Sequence, residues 1–271
     1  MSTWNYNPRQ LKILQVSTAD QAGGAESSAM NLYRRYAQLG HHSWLAVGEK
    51  FTNSADVFPI PNNQRRSLWA RLIYSFDPYQ KRVAIQPYQR MLRFLFKLVA
   101  EPQRAVKIRM GQEDFDFPGT RRLLQLPPQV PDVVHCHNLH GGYFDLRMLP
   151  ELSLQRPTIL NLHDSWLLSG HCAHSFACER WKTGCGQCPD LKTYPGLPRD
   201  GTALNWQRKR EIFQQSRVYV TAISQWLMDR VDASMLSGVK SRVIYNGIDT
   251  QIFSPGSTAE AREALQRARK S

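Results

Sequence analysis

The chain of 271 residues, with 42% apolar residues, is long enough to bury one large α/β core or two small ones, and we expect one. Met1–Lys12 is polar and Met91–Ala100 is interrupted by Arg93 and Lys97, so neither a secretion signal nor a spanning helix is expected. The net charge of +13 is concentrated between residues 64 and 125, where thirteen Lys and Arg face five Asp and Glu. This segment should respond to an anionic surface.

Strand-like runs alternate with helical ones along the chain. Residues 26–40 and 225–236 have helical spacing, and apolar β-rich runs are found at 11–17, 43–48, 130–138, 157–164, 217–224 and 242–246. This alternation predicts an α/β fold with a Rossmann-like, doubly wound parallel sheet. Residues 53–126 are irregular by comparison and indicate a basic helical insertion.

The segment Tyr88–Ala100 combines basic and apolar side chains at helical spacing. Arg90, Arg93 and Lys97 fall on one side, with apolar residues around the rest. Two interpretations stay open, a helix lying on a membrane and a core helix with a solvated basic stripe. Nucleic acid is a weaker candidate for the charge because no recognisable nucleic-acid motif accompanies it.

A glycine pair, Gly23 and Gly24, separates the first strand from the first helix. Such a turn lets backbone approach a ligand, and the helix N-terminus offers free N–H groups to an anion such as diphosphate. A plain tight turn explains the same residues equally well. The chain has neither a G-x-G-x-x-G fingerprint nor a P-loop, which argues against a dehydrogenase or an NTPase.

Histidines follow two of the predicted strands. His135, His137 and His140 precede Gly141 in one run, and His163 and Asp164 end the next strand. Ligands of open α/β sheets bind at the carboxyl ends of the strands, so these side chains are candidates for contacts to sugar hydroxyls, phosphate or metal. Structural roles stay open for both groups. Without a Gly-x-Ser-x-Gly motif, a hydrolase triad is not expected.

Four of the five cysteines lie within seventeen positions and include a Cys-x2-Cys pair. In a reducing compartment this spacing favours a structural zinc ion bound by Cys172, Cys178, Cys185 and Cys188, with His171 and His174 as substitutes for one thiolate. Unligated thiols or a redox pair is the alternative.

Together these residues resemble the N-terminal half of a retaining glycosyltransferase of family 4 with the GT-B fold, especially the subgroup that builds bacterial capsular and exopolysaccharides. The resemblance covers nearly the whole chain and rests on the motifs ILQVSTADQAGGAE, DVVHCHNLHGG, LHDSW, HCAHSFACERWKTGCGQCP, TAISQWL and VIYNGIDTQIFSP. The basic segment that ends in residues 111–119 also looks like the acceptor-side insertion of this subgroup.

The resemblance implies transfer of a sugar from a nucleotide-sugar, a UDP- or GDP-sugar, to an acceptor hydroxyl, with no catalytic metal. The residues it assigns are Gly23, Gly24 and Glu26 for the donor, His163 and Asp164 for catalysis, and His137, His140 and Gly141 for the acceptor. The acceptor would be a glycan on a polyprenyl lipid carrier, and the protein would be cytoplasmic and peripheral on the inner face of the membrane.

This sequence departs from the family pattern after residue 255. The run 241–255 resembles the hinge between the two GT-B domains. Residues 1–255 would form the N-terminal domain, with an insertion at about 53–126 and a Cys-rich loop at 171–189, and residues 256–271 would begin an absent C-terminal donor domain. Because that domain carries most groups that neutralise the leaving diphosphate, we expect little transferase activity from the chain alone. A natural short product, a frameshift and a cloned fragment stay open.

Two other functions stay open. A non-catalytic module that binds an acceptor or lipid and pairs with a separate donor-domain chain would bind membranes without turnover. A zinc-containing nucleic-acid binder would use the Cys cluster and the charge, but most of the charge lies in the insertion. We therefore do not expect nucleic acid as a partner.

Overall fold

The computed structural model describes residues 9–21, 23–77, 87–248, 250, 253 and 255–268. Several sequence predictions fall partly outside the described residues: the polar N-terminus at residues 1–8, the hinge run at residues 249, 251, 252 and 254, and the tail at residues 269–271.

Seven parallel strands form one sheet in the order β3-β2-β1-β4-β5-β6-β7. The strands are β1 (Lys12–Ala19), β2 (His42–Glu49), β3 (Val57–Pro59), β4 (Val133–His137), β5 (Thr158–Leu162), β6 (Val218–Ala222) and β7 (Ser241–Val243). The first six follow the order of the Rossmann fold. The predicted α/β fold with a parallel sheet is confirmed.

Helices connect the strands and cover the sheet. They are α1 (Gly24–Gln38), α2 (Leu68–Ser75), α3 (Pro87–Ala100), α4 (Pro102–Arg109), α5 (Leu149–Gln155), α6 (Thr202–Gln214), α7 (Gln225–Asp232) and α8 (Thr258–Ala268). Short 3-10 segments lie at Asn63–Arg65, Pro118–Gln125, Leu146–Met148, Trp166–Leu168 and Arg180–Lys182. The central strands are buried on both faces, as their continuous apolar runs require, with Leu14, Val134 and Leu160 almost fully excluded from solvent.

Residues 53–77 and 87–126, the described part of the predicted helical insertion, form one strand and three α-helices. It begins with the edge strand β3, whose Val57 pairs with Leu45 of β2, and continues into α2, α3 and α4. Glu101, between α3 and α4, accepts hydrogen bonds from Arg66 (2.6 Å), Tyr74 (2.8 Å) and Arg104 (2.6 Å). These contacts hold the helices of the insertion together.

The exposed side of the α2–α3 pair is apolar. The two helices meet where the Trp69 indole donates to the Val99 carbonyl (3.0 Å), and exposed apolar side chains continue along both at Leu68, Trp69, Leu72, Phe76, Tyr88, Met91, Leu95 and Val99. We call these eight residues the apolar stripe. Lys97 points inward instead, 3.7 Å from Asp114, and burial lowers its pKa.

Lys97 therefore departs from the core-helix interpretation of Tyr88–Ala100, in which the basic side would be solvated, whereas the Arg93 side chain is 37% exposed. The Arg90 side chain lies outside the described residues. In the part of the chain that the structure describes, no helix is long and apolar enough to cross a membrane.

Candidate functional site

The segments that follow β1, β4 and β5 meet at the carboxyl edge of the sheet, where open α/β sheets hold their ligands. β1 leads into α1, β4 into the loop 138–142, and β5 into the segment 163–166. Since β4 lies between β1 and β5, the three segments are neighbours. The residues predicted for donor, acceptor and catalysis therefore come to one edge.

A row of hydrogen-bonded polar side chains crosses this edge. His137 Nδ1 lies 3.1 Å from His163 Nε2, and His137 Nε2 lies 3.1 Å from the Gln15 amide. The Asn161 amide nitrogen lies 3.2 Å from His163 Nε2, and its oxygen accepts from the Thr221 hydroxyl at 2.9 Å. We call these five residues the histidine row, and it joins β1, β4, β5 and β6.

The direction of these hydrogen bonds follows from the Gln15 amide. With its nitrogen toward His137, the amide donates to Nε2 (3.1 Å) and to the Ala29 carbonyl (3.2 Å), while its oxygen accepts from the Tyr33 N–H (2.7 Å). His137 then has its proton on Nδ1 and donates to His163 Nε2. His163 therefore has its own proton on Nδ1, which the histidine row does not use.

Burial keeps His135, His137 and His163 neutral. His137 is fully buried, and burial with His135 and His163 lowers its pKa well below the usual value. Burial, with a smaller effect from His163, lowers the pKa of His135 to about 4. Burial also lowers the pKa of His163, although the Asp164 carboxylate opposes that shift. The histidine row is therefore uncharged near neutral pH.

A second pair of polar side chains, His140 and Asp164, lies beside the histidine row. His140 Nε2 is 2.7 Å from Asp164 Oδ2, and Asp164 Oδ1 accepts from the Trp166 N–H at 2.9 Å. Among the described residues, the buried Nδ1 of His140 has no hydrogen-bond partner. A cavity of about 10 Å³ adjoins both side chains and Asn138, which is room for one water-sized group.

Both members of a buried ion pair form hydrogen bonds with Trp166. Lys209 is fully buried, 2.9 Å from Glu113 Oε2, and donates to the carbonyls of Trp166 (2.9 Å) and Ser169 (3.0 Å). Glu113 accepts from the Trp166 indole at 2.6 Å. Burial raises the pKa of Glu113 and lowers that of Lys209, and each charge opposes the other's shift. No local sequence pattern predicts this pair, whose members are 96 positions apart.

The glycine turn lies between β1 and α1, as the sequence predicted. Gly23 caps α1 with φ 134°, a backbone angle that favours glycine, and an added Cβ would collide with the Glu26 carboxylate. Gly24 is the first residue of α1, and a Cβ there would meet open space. One turn later, the Ser28 hydroxyl donates to Asn246 Oδ1 at 2.9 Å. This bond ties α1 to the start of the predicted hinge.

The loop after β4 packs against the end of β1. The Thr18 hydroxyl donates to the Asn138 carbonyl (3.3 Å). Gly141 has φ 97°, and a Cβ there would lie 2.9 Å from Thr18 Cγ2. Because glycine has no Cβ, the loop packs closely against Thr18, and His140 lies beside Asp164.

The Cys-rich loop has an apolar anchor. Trp181 is buried, its carbonyl accepts from the Trp206 indole at 2.7 Å, and the Arg230 guanidinium lies 5.1 Å from its ring. On the site side, the exposed Tyr194 ring lies 5.6 Å from the His140 ring. Side chains of α6 and α7 therefore supply this loop with packing contacts that need no metal.

The thiols of this loop are not gathered as a ligand set. Cys185 accepts from the Gly170 N–H (3.2 Å), and Cys188 Sγ lies 3.3 Å from His171 Nε2. Burial raises the pKa of Cys172 and Cys188, and that of Cys185 to about 11. Within the described ranges, no three His, Cys, Asp or Glu side chains are arranged to hold a metal ion. The arrangement of these thiols does not fit a zinc site, and bound zinc stays a prediction. The His174 ring stacks on the Trp226 ring.

Comparison with known families accounts for most of the chain. Residues 22–252 match the profile of Glycosyltransferase Family 4. The chain belongs to glycosyltransferase family 4. A curated relative, the putative colanic acid biosynthesis glycosyl transferase WcaC of Escherichia coli (strain K12), is 26% identical over 252 residues, covering 88% of this chain and 55% of the relative.

Two crystal structures of Anabaena HepE are also similar to this family 4 chain. The complex with UDP-glucose has 14% identity and a TM-score of 0.44, covering 95% of this chain and 50% of HepE. The complex with UDP has 16% identity and a TM-score of 0.45, covering 94% and 50%. The family 4 chain spans about half the length of these relatives.

Not every predicted site residue of this family 4 chain is open to solvent. Gly23, Gly24 and Gly141 are exposed, and Glu26, His140, His163 and Asp164 are partly buried. His137 is closed off within the histidine row. Its Nδ1 contacts the partly exposed His163.

Proposed function

We propose that this chain is the acceptor-side domain of a glycosyltransferase that moves a sugar from a nucleotide-sugar to a hydroxyl of a glycan or polyprenyl-linked acceptor in polysaccharide biosynthesis. The observation that carries the proposal is the meeting of the glycine turn, His163 and the His140–Asp164 pair at one sheet edge of a family 4 chain. The anomeric configuration is retained in this proposal.

The donor diphosphate binds at the turn Gly23–Gly24. Its charge is favoured there by the free N–H groups and dipole of the α1 N-terminus. The Glu26 carboxylate now lies against Gly23, so a bound diphosphate displaces it toward the donor's hydroxyls. The nucleotide is a uridine or guanosine diphosphate.

His163 presents its Nδ1–H to the donor sugar. The histidine row fixes that tautomer, because Gln15 donates to His137 and His137 donates to His163. His137 is thus a positioning residue, and its neutral state keeps charge away from the diphosphate.

The acceptor hydroxyl binds beside loop 138–142. During transfer, the bond between the sugar C1 and the diphosphate oxygen breaks and a bond from C1 to the acceptor oxygen forms on the same face. The acceptor proton leaves toward Asp164 or the unpaired Nδ1 of His140. Most of the leaving diphosphate's charge is neutralised by a donor-binding domain, in the same or a separate chain.

The apolar stripe binds an anionic bilayer, on the cytoplasmic face where a lipid-linked acceptor is extended. Eight exposed apolar side chains on adjacent helices are suited to the headgroup boundary. The net charge of +8 between residues 64 and 125 complements anionic lipids.

The test is sugar transfer by the chain fused to the part of WcaC that it does not match. Radiolabelled UDP- and GDP-sugars are offered with polyprenyl-diphosphate saccharides, and product NMR reads the anomeric configuration. We expect a retained product, at least about a hundredfold less for His163→Ala, and full transfer for the control His42→Ala at the opposite sheet edge. A folded fusion that binds acceptor without transferring sugar would favour the non-catalytic binding module.

A further inference from the structure

A polar cavity of about 190 Å³ lies between the insertion and α6, separate from the edge that holds the histidine row. Its lining includes Arg104 and Lys107 of α4, Glu113, Asp114 and Asp116 of the following segment, Arg147, and Arg208 of α6. A drug-sized ligand usually occupies about 300–1,000 Å³. The cavity is therefore suited to a small charged group.

Four cationic side chains line the cavity, and carboxylates neutralise two of them. Arg104 forms a two-pronged contact with Asp114 (2.6 and 2.9 Å). Arg147 donates to Asp116 at 2.6 Å and to Asp145 at 2.8 Å. The third lining carboxylate, Glu113, is paired with the buried Lys209. All three lining carboxylates thus have a cationic partner.

The other two cations have no carboxylate partner among the described residues. Arg208 uses one nitrogen, Nη1, to donate to the Glu113 carbonyl (3.0 Å) and Asn205 Oδ1 (3.3 Å). Its guanidinium stacks on Phe115, 4.2 Å from the ring centre, which fixes the plane of the group. Lys107 is exposed and makes no hydrogen bond or ion pair there. The cavity therefore has excess positive charge and unused N–H donors.

Arg208 is also partly withdrawn from water. Burial lowers the pKa of its guanidinium; the Glu113 carboxylate opposes that shift, Arg147 adds to it, and Asp116 and Asp145 also oppose it. A stacked guanidinium with free donors beside a second cation is an arrangement that recognises phosphate oxygens.

We propose that this cavity binds a phosphate or diphosphate group, held by Nε and Nη2 of Arg208 and by Lys107. The source of the group rests on the proposed function: α4 packs against α3, so the cavity lies near the apolar stripe. Glu113 links it to Trp166 beside the transfer site. A lipid-linked diphosphate entering from the membrane would pass this position on its way to His140.

Calorimetric titration of the full chain with sodium pyrophosphate tests the site without any sugar transfer. The double variant K107Q/R208Q removes the two unpaired cations. Its matched control, R109Q/R210Q, removes the same charge from the same two helices at exposed residues that do not line the cavity. Circular dichroism checks the fold, and the single variant K107Q, at an exposed side chain, keeps the test valid if R208Q unfolds.

We expect 1:1 binding that weakens about tenfold or more in K107Q/R208Q, since charge-assisted hydrogen bonds are lost, and less than about twofold in the control. Equal weakening in both double variants, or no saturable binding, would overturn the site. Farnesyl diphosphate in neutral vesicles distinguishes the sources: tighter binding than pyrophosphate assigns a lipid headgroup, and equal binding assigns a free anion. Failure of sugar transfer alone would leave this result unchanged.

Discussion

Three histidine rings lie side by side at the ends of β4 and β5, and their burial keeps them uncharged. The ring centroid of His137 lies 4.5 Å from that of His135 and 5.4 Å from that of His163, and both ring pairs are tilted. Protonating any ring would place a charge in a poorly solvated cluster beside a second ring. The cluster should therefore make folding sensitive to acid.

The free energy of unfolding should fall as pH is lowered from about 6.5 to about 4. In the folded state the histidine pKa values are lowered, whereas in the unfolded chain they are about 6.5. The unfolded state binds more protons in this range, so acid favours it, and the stability is fully present above the unfolded pKa. Each histidine adds a slope of at most about 1.4 kcal/mol per pH unit. Urea unfolding at several pH values measures it.

His135→Phe isolates one contribution, because His135 Nε2 has no hydrogen-bond partner in the described part of the chain. Its slope should be smaller than that of the wild-type chain, and His42→Phe on the surface serves as the control. A slope unchanged in His135→Phe would show that His135 is already charged in the folded state.

Sequence alone predicts which residues reach the site but not which way they face. The alternation of side chains along a strand puts His135 and His137 on one side, and their rings lie together. It does not indicate that His137 turns inward to Gln15, because that depends on α1 covering the sheet. Lys209 and Glu113 are 96 positions apart, and no local pattern connects them.

At the scale of the elements, helices α2 and α3 expose apolar side chains that a binding partner would cover. Apolar side chains occupy the same side of both helices, with Leu68 79% exposed and Phe76 67% exposed. Contiguous exposed apolar surface of this kind marks an interaction site. The proposed partner is an anionic bilayer.

Leu68→Ser with Leu72→Ser should weaken binding to vesicles of phosphatidylglycerol and phosphatidylcholine by about tenfold or more, because apolar area no longer enters the bilayer. Flotation measures the bound fraction, which should also fall with salt. The matched control, Leu154→Ser with Leu204→Ser, changes two exposed leucines elsewhere. Equal binding of the two double variants would exclude the apolar stripe as the membrane contact.

Elements with a clear period are predictable from sequence, and the others are not. Five predicted strands match β1, β2, β4, β5 and β6, whereas the sixth, at 242–246, overlaps the short β7 only at residues 242 and 243. β3 has three residues and ends in Pro59, which only an edge strand tolerates. α6 buries Asn205 and Lys209 among its apolar residues, so its helical period is broken in sequence.

At the scale of the whole molecule, the fold is built on one Rossmann-like sheet, and most of its strands lie within the residues that match family 4. Its carboxyl edge gathers the histidine row, the glycine turn and the His140–Asp164 pair, while the insertion adds the apolar stripe and the polar cavity. The hydrogen bond from Ser28 to Asn246 brings the predicted hinge to the same edge. A donor-binding domain joined there would face these groups.

Turnover by the 271-residue chain alone, compared with the chain fused to the unmatched part of WcaC, tests the central claim most directly. The account predicts that the chain alone is at least about a hundredfold slower than the fusion, because a leaving diphosphate needs more positive charge than the glycine turn supplies. Sugar transfer by the chain alone at a rate of order one per second, or a folded fusion that binds the nucleotide-sugar and transfers nothing, would contradict it.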